Sequence, residues 1–516
     1  MKNLPIGIQT FAELILKNYV YVDKTEVIYN IITQGKAYFL ARPRRFGKSL
    51  LISTIQSIFE GKRELFEGLA ISKLNYDWAV RPVLHFSFSS IPHKTIEEFE
   101  ESLTFVLRKK FADHQIIAPE TKNSALLLTS LVESLSLKYG PVVILIDEYD
   151  KPIIDHLNEP ALAEATRIAL RNFYQVFKDL DQYLYFLFIT GVSKFTQTSI
   201  FSGLNNLNDL STHAKAATLC GYTKDELTRY FQEHIAHMAH VRNSTIDQII
   251  QEFEIWYNGY SFKWGMTKVF NPFSVLCALD QQTYENFWIK TGTPNFLVTM
   301  FKNQNPVPQI DKNLRVKSDD LVIVHLNQLP FVPVLVQTGY LTLTGEDQDG
   351  YMLDFPNQEV SRSYSLWSLA GTFNKESTSI RTLGITLRAA LKELSFDSFF
   401  QQLIPMFASI PIDIQVEDRE KYYQSIIYLL CLLVGIDMDV ELSTNIGIID
   451  AVIKTDKQII IFEFKLRGNA QEAMNQIKDK KYYQRFLNNG KNIVLVGVEF
   501  SMHERNITEW LVDSIS

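Results

Sequence analysis

The triplet Gly47-Lys48-Ser49 is the first group of residues with a recognisable chemistry. An apolar run from Ala37 to Ala41 precedes an arginine-rich turn that the triplet closes, and apolar residues at helical spacing follow it. This order predicts a strand, a phosphate-binding loop and a helix. Backbone amides of such a loop bind phosphate oxygens, the lysine neutralises the terminal phosphates, and the serine hydroxyl ligates Mg2+.

The loop departs from the usual G-x-x-x-x-G-K-[ST] pattern at one position, because Arg42 stands where the pattern has its first glycine. An ordinary strand-to-helix turn could contain Gly-Lys-Ser by chance, so the loop alone leaves both interpretations open. If the loop binds a nucleotide, the binding residues are expected to be Arg44, Arg45, Phe46, Gly47, Lys48, Ser49 and Leu50.

An acidic pair downstream would complete the nucleotide site. The segment VVILIDEYD, residues 142–150, is a continuous apolar run that predicts a parallel strand buried on both faces. Its carboxyl end, where ligands bind in open α/β sheets, carries Asp147 and Glu148. Asp147 is expected to share the metal ion with Ser49, and Glu148 to orient or deprotonate the attacking water. A buried strand that ends in solvated acids is the structural alternative.

A third apolar strand, from Tyr183 to Thr190, runs into a glycine-containing turn. Thr190 and Ser193 at its end are candidates to sense the γ-phosphate. Incidental hydroxyls in a turn explain the same residues equally well. Loop, acidic pair and third strand together favour nucleotide binding.

A second group of chemical residues lies near the C-terminus. With Asp456 and Lys457 at the centre of a hairpin turn, Asp450 lies directly opposite Glu463, and Lys465 shares their face. Carboxylates bind Mg2+, which activates water for attack at phosphorus, while a lysine can position that water. The alternative is an edge strand with an exposed salt bridge.

The surrounding elements are expected to follow the order helix, three strands, helix, strand (αβββαβ) from residue 417 onward. Residues 465–491 hold two acids and a larger set of basic residues that could contact a phosphodiester backbone, although the whole chain has a net charge of -7. The basic residues are Lys465, Arg467, Lys478, Lys480, Lys481, Arg485 and Lys491.

Five motifs resemble the bacterial AAA-ATPase-like proteins that carry a C-terminal PD-(D/E)xK nuclease domain. They are YVDKT (21–25), RPRRFGKSLL (42–51), LIDEYDKPI (145–153), ITGVSKFTQTSIFSGLNNLNDLS (189–211) and WYNGYSF (256–262). The resemblance implies that Arg42 is the usual residue of the family's loop. It also implies an ATPase of the additional-strand, catalytic-glutamate type, and a restriction-endonuclease-like αβββαβ core.

The resemblance implies accessory nuclease residues at Gln476 and Tyr482, where the family has Gln-Ile and Tyr. Glu441 is a further candidate carboxylate. The chain departs from the family at Ile448, which follows Gly447 where the family usually has arginine, so a phosphate contact is lost.

The resulting fold class is α/β with three parts: a P-loop ATPase domain with a parallel sheet (1–210), a mainly helical lid and linker with a β-hairpin at 339–357 (211–384), and a nuclease-like domain (385–516). His234, His237 and His240 on a middle helix are interpreted as a solvated face and not as a metal site. Widely separated cysteines and the lack of a long apolar segment favour a cytoplasmic protein without a membrane span.

The leading hypothesis is a protein that binds and hydrolyses ATP with Mg2+ and whose nucleotide state controls a Mg2+-dependent nuclease acting on nucleic acid, DNA in preference to RNA. A signalling switch whose last domain binds nucleic acid without cleaving it is the alternative, favoured by Ile448. An ATP-driven remodeller of protein partners is disfavoured by the basic C-terminal stretch. The oligomeric state stays open, because Arg42, Arg44 and Arg45 could act on their own nucleotide or a neighbour's.

Overall fold

The computed structural model describes residues 1–194, 200–201, 204, 206–288, 297, 300, 310, 314–317, 319–321, 330–410, 419–455 and 457–515. The chain forms two compact units, Met1–Phe296 with Lys312–Glu359, and Leu297–Asp311 with Val360–Ser516. The predicted boundaries at residues 210 and 384 stay predictions.

A parallel sheet of five strands lies at the centre of the first unit. The strands are β1 (Ala37–Ala41), β2 (Val83–Ser87), β3 (Val142–Asp147), β4 (Leu184–Gly191) and β5 (Asn208–Asp209). Their order is β2-β3-β4-β1-β5. Strand β4 thus separates the loop strand β1 from the acidic strand β3, which confirms the additional-strand arrangement that the resemblance implies.

Helices cover this sheet, so β1 and β3 are buried along their whole length, as continuous apolar runs in parallel sheets require. Side-chain caps at Thr95 and Asn123 begin the helices Ile96–Asp113 and Ser124–Tyr139. The helices are α1 (Phe11–Leu16), α2 (Thr25–Gln34), α3 (Lys48–Phe59), α4 (Ile96–Asp113), α5 (Ser124–Tyr139), α6 (Lys151–Ile154) and α7 (Pro160–Asp179).

The rest of the first unit is mainly helical. Thr223 and Glu226 form a capping box, and Asn271 caps a helix that starts with proline. The helices are α8 (Lys224–Tyr230), α9 (Gln232–Val241), α10 (Ile246–Tyr257), α11 (Pro272–Gln281) and α12 (Phe331–Thr338). The interpretation of the three histidines as a solvated face is wrong for His234, which is buried beneath the N-terminal segment with Nε2 2.9 Å from Lys2 O.

The predicted hairpin is confirmed, because β7 (Thr342–Asp347) and β8 (Gly350–Asp354) pair antiparallel. The sequence did not predict its third strand, the short segment Leu314–Val316 that forms β6 and pairs with β8.

The second unit contains the predicted αβββαβ order. Its helices are α13 (Gln358–Thr372), which starts at the unit boundary, α14 (Ser377–Lys392), α15 (Phe396–Phe407), α16 (Arg419–Leu433) and α17 (Ala470–Asp479). Its strands are β9 (Met438–Ser443), β10 (Ile448–Lys454), β11 (Gln458–Lys465), β12 (Asn492–Ser501) and β13 (Asn506–Ile515). The sheet order is β13-β12-β11-β10-β9, with the unpredicted β13 at one edge.

Candidate active sites

The phosphate-binding loop joins β1 to α3. Arg45 and Gly47 adopt left-handed backbone conformations, with φ angles of 66° and 88°, and Gly47 directly precedes α3. Such conformations direct successive amide groups into a concavity that binds anions. The first turn of α3 adds unpaired amides and the positive end of the helix dipole. The loop therefore has the geometry of an anion-binding site.

Lys48 is buried under this loop. Its Nζ donates hydrogen bonds to the carbonyl oxygens of Arg42 (2.9 Å) and Pro43 (3.0 Å). Burial lowers the pKa of Lys48, and the negative charges of Glu148 and Asp147 oppose that effect. The lysine and the two acids therefore belong to one electrostatic site.

A cavity of about 380 Å³ opens at this site. Six of the residues that line it have the chemistry of phosphate or metal binding, namely Arg44, Arg45, Lys48, Ser49, Asp147 and Glu148. A smaller cavity of about 70 Å³ shares the walls Pro5, Gly47, Leu50, Tyr222 and Pro272 with the larger one. The predicted loop and the predicted acids thus line one space.

The carboxyl ends of β3 and β4 hold the acids in place. Thr190 Oγ1 donates to Asp147 Oδ1 at 2.7 Å, and Tyr149 N donates to Thr190 O at 2.9 Å. Glu148 lies between Asp147 and Tyr149 with a left-handed φ of 54°, which is uncommon outside glycine. Contacts on both sides therefore position the glutamate that is expected to activate water.

The second candidate site lies on the hairpin of β10 and β11. The observed pairs run from Ala451–Phe462 to Lys454–Ile459, which confirms the predicted register; of the predicted turn residues, Asp456 lies outside the described residues. Asp450 and Glu463 are the next pair in this register, and Asp450 Oδ2 accepts a hydrogen bond from Phe464 N at 2.7 Å.

Glu463 is the electrostatic centre of this second site. Its side chain is 1% exposed, and Oε1 accepts hydrogen bonds from Lys465 Nζ (3.2 Å) and from Gln476 Nε2. Its Oε2 is buried without a hydrogen-bond partner among the described residues. Burial, and next the charge of Asp450, raise the pKa of Glu463 above its ordinary value, while Lys465 and Lys480 oppose the rise. Two adjacent carboxylates, one with an unpaired oxygen, fit a divalent cation.

Comparison with known proteins matches two parts of the chain to families. Residues 5–201 match the family described as "Predicted AAA-ATPase", and residues 418–510 match the "PD-(D/E)XK nuclease superfamily". A protein of Azotobacter chroococcum mcd 1, described as "Uncharacterized protein in vnfD 5'region", is 34% identical over 526 residues, which cover 100% of this chain and 99% of that protein. The chain belongs to the AAA-ATPase-like proteins with a C-terminal PD-(D/E)XK nuclease domain.

Arg42, the loop residue that distinguishes this AAA-ATPase-like protein from the usual pattern, has a structural role. Its guanidinium is 1% exposed and donates hydrogen bonds to the carbonyl oxygens of Ala41, Ser211 and Ala216. It also lies 3.9 Å from the ring centroid of Phe262. Because these contacts bury the cation, the idea that Arg42 acts on a nucleotide is wrong.

In three other predicted residues of the AAA-ATPase-like protein, the side chain contacts other protein groups. The side chain of Phe46 lines the smaller cavity and contacts Tyr260. Ser193 is buried and donates its hydroxyl to Asp150, so its predicted phosphate contact stays a prediction. Glu441 lies opposite Asp450 between registered pairs of β9 and β10, but its carboxylate pairs with Lys421 at 2.9 Å.

Asp150 is a buried acid beside the nucleotide site that the sequence analysis did not predict. It is fully buried, and its carboxylate accepts hydrogen bonds from Val192 N (3.0 Å), Ser193 N (2.8 Å) and Ser193 Oγ (2.7 Å). It thereby joins the segment after β3 to the segment after β4, two residues beyond Glu148. The only signal for it in the sequence is its place as the third acid of the DEYD segment, residues 147–150.

Proposed function

We propose that this protein binds and hydrolyses ATP and that its nucleotide state controls a Mg2+-dependent nuclease that acts on nucleic acid. The observation that carries the nuclease part is the register of β10 and β11, which brings Asp450, Glu463 and Lys465 together. The nucleotide cavity with Lys48, Asp147 and Glu148 in its walls supports the ATPase part.

In the first site, the loop amides and Lys48 bind the phosphates, and Ser49 with Asp147 would hold Mg2+. Glu148 accepts the proton of the attacking water, while Thr190 keeps Asp147 in its orientation. The small cavity beside Gly47 adjoins the phosphate-binding loop, and its walls include Pro5 of the N-terminal segment.

In the second site, Asp450 and Glu463 would hold Mg2+, which supplies an activated water and charge neutralisation at phosphorus. Lys465 lies two residues after Glu463 on β11 and positions that water. Gln476, on α17, donates a hydrogen bond to Oε1 of Glu463 and so fixes the orientation of this carboxylate. Oε2 has no hydrogen-bond partner among the described residues.

The basic stretch, residues 465–491, supports a nucleic-acid partner, although contacts within the protein occupy some of its basic side chains. Lys478 pairs with Asp513 at 2.5 Å, and Arg485 and Lys491 donate to the backbone carbonyls of Ser443 and Thr455. Of these three residues only Lys478 is paired with an acid, so Arg485 and Lys491 keep a positive charge that can attract a phosphodiester backbone.

The experiment compares the wild-type protein with Lys48→Ala, Asp450→Ala and Lys465→Ala. Each is incubated with Mg2+ and plasmid DNA, single-stranded DNA or RNA, with and without ATP. We expect Asp450→Ala and Lys465→Ala to abolish cleavage but to retain ATP hydrolysis, and Lys48→Ala to abolish hydrolysis and the effect of ATP on cleavage. Glu509→Gln, at an exposed acid of β13, is the matched acidic control and should cleave like wild type. Cleavage that persists in both nuclease variants would contradict the site.

The signalling switch is the second candidate, because an exposed apolar residue, Ile448, begins the strand that carries Asp450. ATP-dependent binding of nucleic acid without cleavage, in protein that hydrolyses ATP normally, would favour this function over the nuclease.

A further inference from the structure

Two polar side chains cover Gly447, the residue that precedes β10. A Cβ atom on Gly447 would lie 2.7 Å from Tyr482 Oη and 3.2 Å from Lys480 Nζ. Any side chain at this position would therefore displace the hydroxyl or the ammonium. The glycine brings both groups against the start of the strand that carries Asp450.

The hydroxyl of Tyr482 is unsatisfied. Tyr482 is 1% exposed, and its Oη has no hydrogen-bond partner among the residues that the structure describes. Glu463 Oε2 is likewise buried without a hydrogen-bond partner among the described residues. Leaving a buried polar group unpaired costs about 1–3 kcal/mol, and such groups are rare in folded proteins. The hydroxyl lies against Gly447 at the start of β10, and Glu463 lies on the neighbouring strand β11, so a ligand at this end of the hairpin would supply the missing partners.

Lys480 supplies a positive charge that no carboxylate of the described residues contacts. Lys465 pairs with Glu463, and Lys478 pairs with Asp513, but no ion pair of Lys480 occurs in the described part of the chain. Its Nζ lies 5.9 Å from the ring centroid of Tyr482. Its charge acts on Glu463, so the ammonium is near the carboxylates without being neutralised by them.

A phosphodiester that approaches two carboxylates is repelled unless cations compensate the charge. Lys465 is already engaged with Glu463, and Ile448, the residue after Gly447, carries no charge. We propose that Lys480, together with the hydroxyl of Tyr482, binds a non-bridging oxygen of the substrate phosphodiester beside Asp450 and Glu463. This inference rests on the proposed nuclease function and adds a substrate-binding lysine to it.

The test measures binding of labelled DNA by the full chain in EDTA, across a range of salt concentrations, and cleavage in Mg2+. Lys480→Gln is expected to weaken binding about tenfold and to lower the slope of log affinity against log salt by about one. Lys480→Arg should restore most of the affinity because it keeps the charge. Lys457→Gln, an exposed lysine in the β10–β11 turn, is the control and should bind like wild type.

Tyr482→Phe separates a ligand role from a packing role. It should weaken binding while thermal stability is equal to or above that of wild type, because the hydroxyl that is removed is buried without a partner among the described residues. Wild-type affinity and salt slope in Lys480→Gln, or a loss of stability that matches its loss of binding, would overturn the assignment while leaving the nuclease intact. A wild-type protein that neither binds nor cleaves any nucleic acid tested would instead overturn the proposed function and the assignment that rests on it.

Discussion

At the scale of single residues, Asp150 explains how Glu148 keeps an uncommon backbone conformation. A left-handed φ at a non-glycine residue costs about 1–2 kcal/mol, so neighbouring contacts must hold it. Asp150 provides three hydrogen bonds to the residues after β4. Tyr149 adds two more, from its amide to Thr190 O and from its hydroxyl to Ser193 O.

The first prediction concerns Asp150→Asn. The amide group would face backbone donors with its own N–H groups, so we expect the free energy of unfolding to fall by about 1–3 kcal/mol. ATP hydrolysis should fall at least about tenfold, since Glu148 loses its support, while nucleotide binding is retained. Steady-state ATPase assays and nucleotide titration measure this. Ser193→Ala, which removes one donor only, should be milder; normal hydrolysis in Asp150→Asn would contradict the role.

Glu359 is a second buried acid, and it lies next to the nucleotide loop. Its Oε1 accepts from Trp288 N and its Oε2 from Ser274 Oγ, both at 2.7 Å. Trp288 Nε1 in turn donates to Arg44 O at 2.9 Å. Burial raises the pKa of Glu359 from 4.5 to about 8, against the opposing effect of these hydrogen bonds.

The second prediction is a pH dependence of stability. Between pH 4.5 and about 8, the folded state holds a proton on Glu359 that the unfolded chain has released. The contribution of this proton to the free energy of unfolding is therefore complete below pH 4.5 and is lost as pH rises through about 8. The slope can reach about 1.4 kcal/mol per pH unit. Denaturant unfolding from about pH 5 to about pH 8.5 should show it in wild type but not in Glu359→Gln. Equal slopes in the two proteins would contradict it.

At the scale of elements, helix α17 owes its position to a glycine in β12. A Cβ on Gly497 would lie 2.6 Å from Ala470 O and 2.8 Å from Met474 N, which are backbone atoms of α17. The same helix carries Gln476, which contacts Glu463. The close approach of helix and strand therefore places a residue of the nuclease site.

The third prediction is that Gly497→Ala displaces α17 and weakens the contact between Gln476 and Glu463. We expect a loss of about 1–3 kcal/mol in stability from the overpacking, reduced cleavage and unchanged ATP hydrolysis. Gly490→Asn is the control, because Gly490 has a φ of 63° and nothing within 4 Å of its Cβ position, and asparagine tolerates that conformation. Full cleavage by a stable Gly497→Ala protein would contradict the argument.

At the scale of the whole molecule, the chain divides into two units, and each holds one of the candidate sites. The nucleotide cavity lies within the first unit, and the paired carboxylates lie within the second. Among the described residues, no helix is both long and apolar enough to span a bilayer.

The fourth prediction is that calorimetry resolves two unfolding transitions. ATP with Mg2+ should stabilise one of them by about 2.7 kcal/mol at a concentration about 100 times Kd, and Lys48→Ala should remove that shift. The other transition should respond to Asp450→Ala and should be shifted by ATP less than the first. A single transition that ATP shifts as a whole would contradict independent unfolding of the units.

The sequence by itself determined the strands that carry the two sites, the loop and the hairpin register, since these follow from apolar periodicity and from turns between neighbouring residues. The sequence predicts that Asp450 lies opposite Glu463, because a short turn sets which residues of two adjoining strands face each other. Tertiary structure alone decided what distant residues do. Arg42 binds carbonyls about 170 positions away, Asp150 binds the end of β4, and Lys480 meets Gly447. These contacts depend on the folding of separate elements against one another, which no local pattern records.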